Sequence, residues 1–323
     1  MSSERPTAGR GAPAPGVSVI IPAYGVAQYI AETLDSVFAQ TYRDFEIIVV
    51  NDGCPDSAAL EAALRPYRER IVYIRKENGG VSSARNAGMR AARAPLIAFL
   101  DGDDAWLPDF LAVQTDYLRA HPHTAIVYCD GRIFGDTPLA GRSGMEFSPS
   151  RGEVSFESLA LSRCSVALIA VVARKASILA VGGFDESLRR AEDFDLWLRV
   201  AHAGARISYH RRLLFRYRRR ATGLSADDIA MAEAALRMFD KLERTLQLSA
   251  SEQAALATGR QAYRADVSYF RMKDAMRRGE ARMALGAVRD LLPLRRTMKF
   301  ALLAFALRWA PLLTLRIARW RQR

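Results

Sequence analysis

Short apolar runs recur at 17–21, 45–50, 71–74 and 96–100, and segments of helical pattern separate them. Each run has the length of a strand and is apolar on both faces, as strands buried in a parallel sheet are. The segment at 27–39 places Ile30, Leu34, Val37 and Phe38 on one helical face. Asp56 with Ser57 is suited to cap a second helix that reaches about Arg70. Residues 82–92 read as a third helix, Pro108 opens a fourth that runs to about Ala120, and 125–129 is a further strand. Strands alternating with helices build βαβ units. The expected fold is therefore α/β, with a mainly parallel, Rossmann-like sheet flanked by helices.

The strand ends carry the chemistry. The run at 96–100 stops abruptly in Asp101-Gly102-Asp103-Asp104, three carboxylates within four residues. Such acids repel one another and call for a cation. A hard divalent ion such as Mn2+ or Mg2+ suits them, held by one or two carboxylates and a substrate phosphate. The alternative is a solvated acidic turn that caps the next helix through Asp104 and Pro108. The first run ends in Pro22-Ala23-Tyr24 and the second in Asn51-Asp52-Gly53, so three strands finish in polar or turn residues on one side of the sheet. Ligands of open α/β sheets bind at such carboxyl ends. No Gly-x-Gly-x-x-Gly follows the first strand, and no Gly-x-x-x-x-Gly-Lys-Ser/Thr occurs. Dinucleotide and P-loop sites are thereby disfavoured. A nucleotide-type ligand held through a metal remains.

Farther along, 130–165 is irregular and 166–173 reads as a strand. Residues 190–201 read as an amphipathic helix with Phe194, Trp197, Leu198 and Ala201 on its apolar face. Glu192 and Asp193 stand at its amino end, where the helix dipole favours negative charge; they either cap the helix or do chemistry. Short strands are expected at 207–210 and 213–217, then a basic loop through Arg218, Arg219 and Arg220. From about Asp227 the pattern becomes helical and Ala-rich, with a break near Gly279.

The net charge of +12 is concentrated. Residues 211–220 hold six Arg and 295–323 hold eight Lys or Arg, with no acid in either stretch. Such clusters favour specific anions over a nucleic-acid coat, and no nucleic-acid-binding motif is present. The segment 297–323 mixes this charge with Leu, Phe and Trp. As a helix it would set Arg308, Arg316 and Arg319 on one face, with Trp309 and Trp320 at headgroup level on an anionic leaflet. Packing on the protein's own body is the other reading. No run approaches the ~20 apolar residues that span a bilayer. Three scattered cysteines point to a reducing compartment. The first residues, rich in Ser, Pro, Gly and Ala, read as a disordered tail rather than a signal peptide.

Taken together, Val-Ser-Val-Ile-Ile-Pro-Ala-Tyr (17–24), Ile-Ile-Val-Val-Asn-Asp-Gly (47–53), Asn-Gly-Gly-Val-Ser-Ser-Ala-Arg-Asn-Ala-Gly (78–88), Phe-Leu-Asp-Gly-Asp-Asp (99–104) and Glu-Asp-Phe-Asp-Leu-Trp-Leu-Arg (192–199) resemble glycosyltransferase family 2. The resemblance implies a GT-A catalytic domain over 16–225, preceded by a tail over 1–15. A helical extension follows over 226–323 and ends in the membrane-associating segment. It implies an inverting transferase that uses a nucleotide-sugar donor, by default a UDP-hexose or UDP-N-acetylhexosamine, and a divalent cation, Mn2+ or Mg2+. The acceptor would be a lipid-linked or cell-surface glycan, and the enzyme cytoplasmic, peripheral on the inner face of the plasma membrane.

Position by position, Pro22, Ala23 and Tyr24 would border the base and Asp52 would bond base or ribose. Arg85 would face the nucleotide, with Asp101 and Gly102 beside its sugar. Asp103, with Asp101 in the shell, would hold the metal. Asp193 would be the general base, with Glu192 its neighbour in the acceptor site, and Arg218 or Arg219 would grip the diphosphate. Trp197 would pack in the core. The chain departs from the family pattern at Asn51 and Cys54, and at Arg220, where the family often has His; Arg cannot act as a base but can grip diphosphate with its planar fork. Other classes that fit part of the pattern are a non-catalytic nucleotide-sugar-binding scaffold and a metal-dependent nucleotidyltransferase. The latter's basic Gly-rich loop after the first strand is missing.

Overall fold

The computed structural model describes residues 2–4, 13–220, 223, 227–295 and 297–320, without the side chains at 2–4 and 316–320. The chain divides into two compact units, 1–222 and 223–323.

The apolar runs of the first unit become the inner strands of one sheet. Its strands in chain order are β1 (Ser2–Glu4), β2 (Val17–Ala23), β3 (Phe45–Asp52), β4 (Val72–Lys76), β5 (Leu96–Phe99), β6 (Ala105–Trp106), β7 (Thr124–Gly135), β8 (Val171–Arg174) and β9 (Arg206–Arg219). They pair in the order β1-β4-β3-β2-β5-β8-β7-β9-β6. Parallel pairing runs through β4, β3, β2 and β5 and returns between β7 and β9, while β8 joins the two halves antiparallel to both neighbours. β2 lies between β3 and β5, and Val17, Val19, Ile20 and Ile21 on it are wholly buried. This is why its sequence shows no polar alternation.

The helices of this unit are α1 (Ile30–Phe38), α2 (Ser57–Leu64), α3 (Val81–Ala91), α4 (Phe110–Ala120), α5 (Gly144–Phe147), α6 (Phe156–Ala160), α7 (Lys175–Ala180) and α8 (Glu192–His202). Asp56 caps α2 by accepting from the Ala59 amide. α3 runs against β2 so closely that a Cβ on Gly88 would lie 2.4 Å from Ile20 Cγ2. Any side chain there would force the helix off the sheet and move Arg85 with it. Trp197 on α8 is buried as expected, its indole N–H donating to the Val166 carbonyl at 3.2 Å.

Three expected strands differ. Only Val171–Arg174 of the run at 166–173 is β; Leu168–Ala170 forms a 3-10 turn. Side chains take the carbonyls that a longer strand would offer. Trp197 binds Val166, Trp106 Nε1 binds Ile169 at 2.8 Å and Gln114 Nε2 binds Ala170 at 2.7 Å. The two short strands expected at 207–210 and 213–217 are instead one strand, β9, and register shifts against β7 near Tyr128 and Asp130 absorb the intervening residues. Of the tail expected to be disordered over 1–15, Ser2–Glu4 adds an antiparallel edge strand to β4, and 5–12 lies outside the described residues.

The second unit holds α9 (Asp228–Thr245), α10 (Ala250–Arg278), α11 (Ala281–Leu291), α12 (Met298–Trp309) and α13 (Pro311–Trp320). Ser249 and Glu252 form a capping box at the start of α10, and Gly279 ends it in the left-handed conformation at φ +83°. Leu307 and Leu315 pack into a cluster with Met272, Ala275, Ala284 and Val288. Met298, Leu302, Phe305, Trp309, Leu312 and Leu313 stay exposed. Among the described residues no helix is long and apolar enough to cross a membrane.

Candidate active site

The carboxyl ends of β2, β3 and β4 are level, with Ala23 opposite Asn51 and Asp52 opposite Lys76. β5 ends beside them, the Leu100 amide donating to the Ile20 carbonyl at 3.1 Å. The residues singled out after each strand therefore open onto one edge of the sheet. Ala23 is buried and Pro22 is nearly so, whereas Tyr24 exposes 51% of its surface, so its ring is free to stack. Cys54 fills the family's Ser position and accepts from the Gly25 amide at 3.3 Å, tying the first two loops together. Asn51 turns inward, its side-chain amide donating to Tyr73 Oη at 2.8 Å.

Asp52 does local work. It accepts from Lys76 Nζ at 2.6 Å and from the Gly79 and Gly80 amides at 3.0 and 2.8 Å. Both oxygens thus hold the turn that leads into α3. Lys76 is a functional candidate that no motif marks. The signal in the sequence is the Arg75-Lys76 pair that ends β4, with Lys76 level with Asp52.

Arg85 joins the two acidic groups that lie farthest apart in sequence. It is 3% exposed. Its Nη2 donates to Asp101 Oδ1 at 2.8 Å and its Nη1 to Glu192 Oε1 at 2.7 Å. The tip of β5 and the amino end of α8 therefore share one guanidinium. Burial alone would lower the Arg85 pKa, but Asp101 and Glu192 outweigh it and push it up. Its Nε has no hydrogen-bond partner. Both of its terminal nitrogens are engaged by carboxylates.

The acidic tip is strapped to the end of β9. The Arg218 amide donates to Asp104 Oδ1 at 2.6 Å and Arg218 Nε to the Asp103 carbonyl at 2.8 Å. Arg218 also pairs with Glu32 on α1 and lies 4.7 Å from the Tyr29 ring centroid. Asp104, offered as a helix cap, is instead buried at 2% exposure beneath this strap. Burial, then Asp101 and Asp103, raise its pKa well above the usual carboxylate range. Arg219 ends β9 opposite Gly135. Arg220 Nε sits 2.7 Å from Asp103 Oδ2. Gly102 fits tightly: a Cβ there would lie 2.8 Å from Val26 Cγ2 and 3.2 Å from the Pro22 carbonyl. Glu32 and Tyr29 are further residues the motifs did not mark, brought in by packing of α1.

Asp193 is the most perturbed acid of the crevice that still titrates near neutrality. Burial and then the charge of Glu192 push its carboxyl up to about 7, against the pull of Arg85. A carboxyl poised there can hold or release a proton at neutral pH. Asp103 is also raised, by burial and then by Asp101. A shielded carboxylate at Asp103 with Asp101 beside it suits a hard cation with oxygen ligands. Among the described residues no cluster of three or more His, Cys, Asp or Glu forms a ready metal cage. Asp101 and Asp103 would therefore supply part of a coordination shell and a diphosphate the rest. A cavity of about 350 Å³ beside Asp130, Glu146, Arg151 and Arg211 includes none of these residues.

An α/β sheet of this topology, flanked by helices, is a GT-A fold. Residues 18–166 match the family model for glycosyl transferase family 2. An uncharacterized glycosyltransferase of Rickettsia prowazekii is 33% identical over 192 residues, covering 57% of this chain and 58% of the relative. The chain thus spans less than two-thirds of that relative's length. Among solved structures, S. aureus TarS 1–349 in complex with UDP-GlcNAc aligns with a TM-score of 0.61 at 18% identity, covering 95% of this chain and 91% of that one. The mannosyltransferase PcManGT from Pyrobaculum calidifontis, in complex with GDP-Man and Mn2+, aligns with a TM-score of 0.64 at 20% identity, covering 94% and 86%. At these identities the structural matches show the fold.

Proposed function

We propose that the chain is an inverting glycosyltransferase. It moves a sugar from a nucleotide-sugar donor, of the UDP-hexose or UDP-N-acetylhexosamine class, to a hydroxyl of a lipid-linked or cell-surface glycan. The observation that carries this reading is the Arg85 bridge. It holds a metal-suited acidic tip and a titratable acidic helix end at one crevice. The complexes of the two structural neighbours, TarS with UDP-GlcNAc and PcManGT with GDP-Man, support a nucleotide-sugar donor.

In this mechanism the acceptor hydroxyl gives its proton to the Asp193 carboxylate as its oxygen attacks the anomeric carbon. The bond to the nucleoside diphosphate breaks on the opposite face and its electron pair leaves on the β-phosphate oxygen, so the configuration inverts. Asp103, with Asp101 beside it, would hold a divalent cation, which would supply Lewis-acid neutralisation of the leaving diphosphate's charge. Glu192 and Arg85 fix the helix end that carries the base, and Tyr24 stacks on the nucleobase. Arg218, Arg219 and Arg220 surround the diphosphate with charge-assisted donors. Asp103→Ala should abolish stimulation by Mn2+ and cut transfer by at least tenfold, read by nucleoside diphosphate release with and without EDTA. An unchanged EDTA response in that variant removes Asp103 from the metal site.

The second unit serves, on this reading, to hold the enzyme at an anionic membrane surface. α12 and α13 are two-faced: Leu307 and Leu315 pack inward, while Met298, Leu302, Phe305 and Trp309 form an exposed apolar stripe at helical spacing on α12 and Leu312 and Leu313 are exposed on α13. Lys299 and Arg308 are exposed on the same segment, and no acid lies anywhere in 295–323. That charge complements anionic headgroups. The side chains of Arg316, Arg319 and Trp320 lie outside those described. Full-length protein should co-sediment with vesicles containing phosphatidylglycerol and release at high salt. Phe305→Glu combined with Trp309→Glu should weaken binding at least tenfold. Equal binding by this variant, or a dimer that dissociates in it without any vesicle binding by the parent, rules the reading out.

A further inference from the structure

The two acids of the strand tip have separate arginine partners, and the partners differ in kind. Asp101 is answered by Arg85, which is buried, anchored on α3 and shared with Glu192. Asp103 is answered by Arg220, which follows directly on the last residue of β9 and whose Nε lies 2.7 Å from Asp103 Oδ2. Its side chain is 25% exposed, against 4% for Arg85. The backbone around Asp103 is fixed independently, because Arg218 holds its carbonyl and the neighbouring Asp104 carboxylate. Breaking the Arg220 contact would therefore free the Asp103 carboxylate without unstrapping the loop. Arg220 also lies 5.3 Å from the Tyr29 ring centroid, beside Arg218 over the same ring. Both contacts are made at once, so the ring flanks the guanidinium in the position it holds on Asp103.

We propose that Arg220 is a resident counter-cation for Asp103, holding the carboxylate until a donor diphosphate arrives and then moving to that diphosphate. This rests on the reading of Asp103 as the metal ligand and adds an order to it. A divalent ion arriving alone must displace a guanidinium that has nowhere better to go. With a nucleoside diphosphate present, the guanidinium gains a stronger anion and releases Asp103. Metal and nucleotide binding become coupled through one side chain, and by linkage each tightens the other by the same factor, typically about 5–150-fold. No covalent step is involved.

The test is Mn2+ binding to the full chain, followed by the electron paramagnetic resonance signal of free Mn2+. It is run without nucleotide and again with saturating UDP. Without nucleotide, wild type should bind Mn2+ weakly, and Arg220→Gln should bind at least about tenfold tighter, because the competing charge is gone. Arg220→Lys should fall between. Adding Asp103→Asn to Arg220→Gln should erase the gain. Equal nucleotide-free affinity in wild type and Arg220→Gln overturns the proposal. If Arg220→Gln does not fold by circular dichroism, the wild type and Arg220→Lys decide: equal affinities again overturn it. The UDP arm tests the underlying reading alone. Mn2+ binding that depends on Asp103 in the presence of UDP supports the metal site whether or not Arg220 competes. Its absence refutes that site and the handover with it, whereas equal nucleotide-free affinities with that dependence intact refute the handover alone.

Discussion

Asp193→Asn is expected to lower sugar transfer by about 10²–10⁴-fold, the range that general-base assistance contributes, while leaving nucleotide binding within about twofold. Asn keeps the shape and the acceptor for the Phe194 amide but cannot take a proton. In wild type the pH profile follows from the raised pKa of about 7. Below that value Asp193 holds a proton and cannot act, so kcat/KM should rise about tenfold per pH unit on the acid side and level off above about 7. The residual activity of the Asn variant should lack this limb. The same shift bears on stability with a definite sign. Between the ordinary carboxylate range and about 7 the folded chain retains a proton that the unfolded chain has lost. Folding is thus favoured at low pH and loses stability as pH rises through that window. Asp193→Asn should accordingly raise Tm by about 2–4 °C at pH 8 and leave it unchanged at pH 4. A variant that keeps wild-type turnover and its acid limb places the base elsewhere.

Arg85→Met is expected to have the largest effect on the fold. The guanidinium is buried and answers two acids at once. Removing it leaves Glu192 shielded without a partner and Asp101 partly so. Breaking a buried pair in this way costs about 3–5 kcal/mol, and the one-third exposure of Asp101 places the expectation at the lower end. Melting should fall by about 6–12 °C. Arg85→Lys will not rescue it, since a compact ammonium on a flexible stem does not reproduce the rigid fork that spans both carboxylates. Adding Asp101→Asn and Glu192→Gln to Arg85→Met should restore most of the stability and none of the transfer. If Arg85→Met alone melts within a degree of wild type, the bridge is not what joins the two halves of the crevice.

Much of this architecture is legible in the chain because its signals are local. The β2, β3, β4 and β5 runs are buried on both faces, so each announces itself as a strand. Asp56, the Ser249–Glu252 pair and Gly279 mark helix ends by chemistry confined to a few residues. The strand-tip acids and the Glu192–Asp193 pair could be named for the same reason, as each stands beside an element of clear periodicity. What stayed hidden depends on partners far away in sequence. Nothing near Asp52 indicates that Lys76 and the Gly79–Gly80 amides will consume both its oxygens. Nothing near Arg85 foretells that it will meet Glu192, 107 positions later. The run at 166–173 is as apolar as a strand needs, yet Trp106, Gln114 and Trp197 take its carbonyls from other elements. Glu32 and Tyr29 lie on or just before a helix whose only visible pattern is its apolar face.

The central claim is that the strand-tip acids and the acid heading α8 serve one nucleotide-sugar pocket. The most direct measurement follows nucleoside diphosphate release from a panel of UDP- and GDP-sugars in the presence of Mn2+, with calorimetric binding of each donor to wild type, Asp103→Ala and Asp193→Asn. At least one donor should bind and turn over in wild type. Asp103→Ala should lose metal-dependent binding of that donor, and Asp193→Asn should keep binding and lose turnover. Failure of every donor to bind, or a donor whose binding and release are indifferent to both substitutions, would contradict the account.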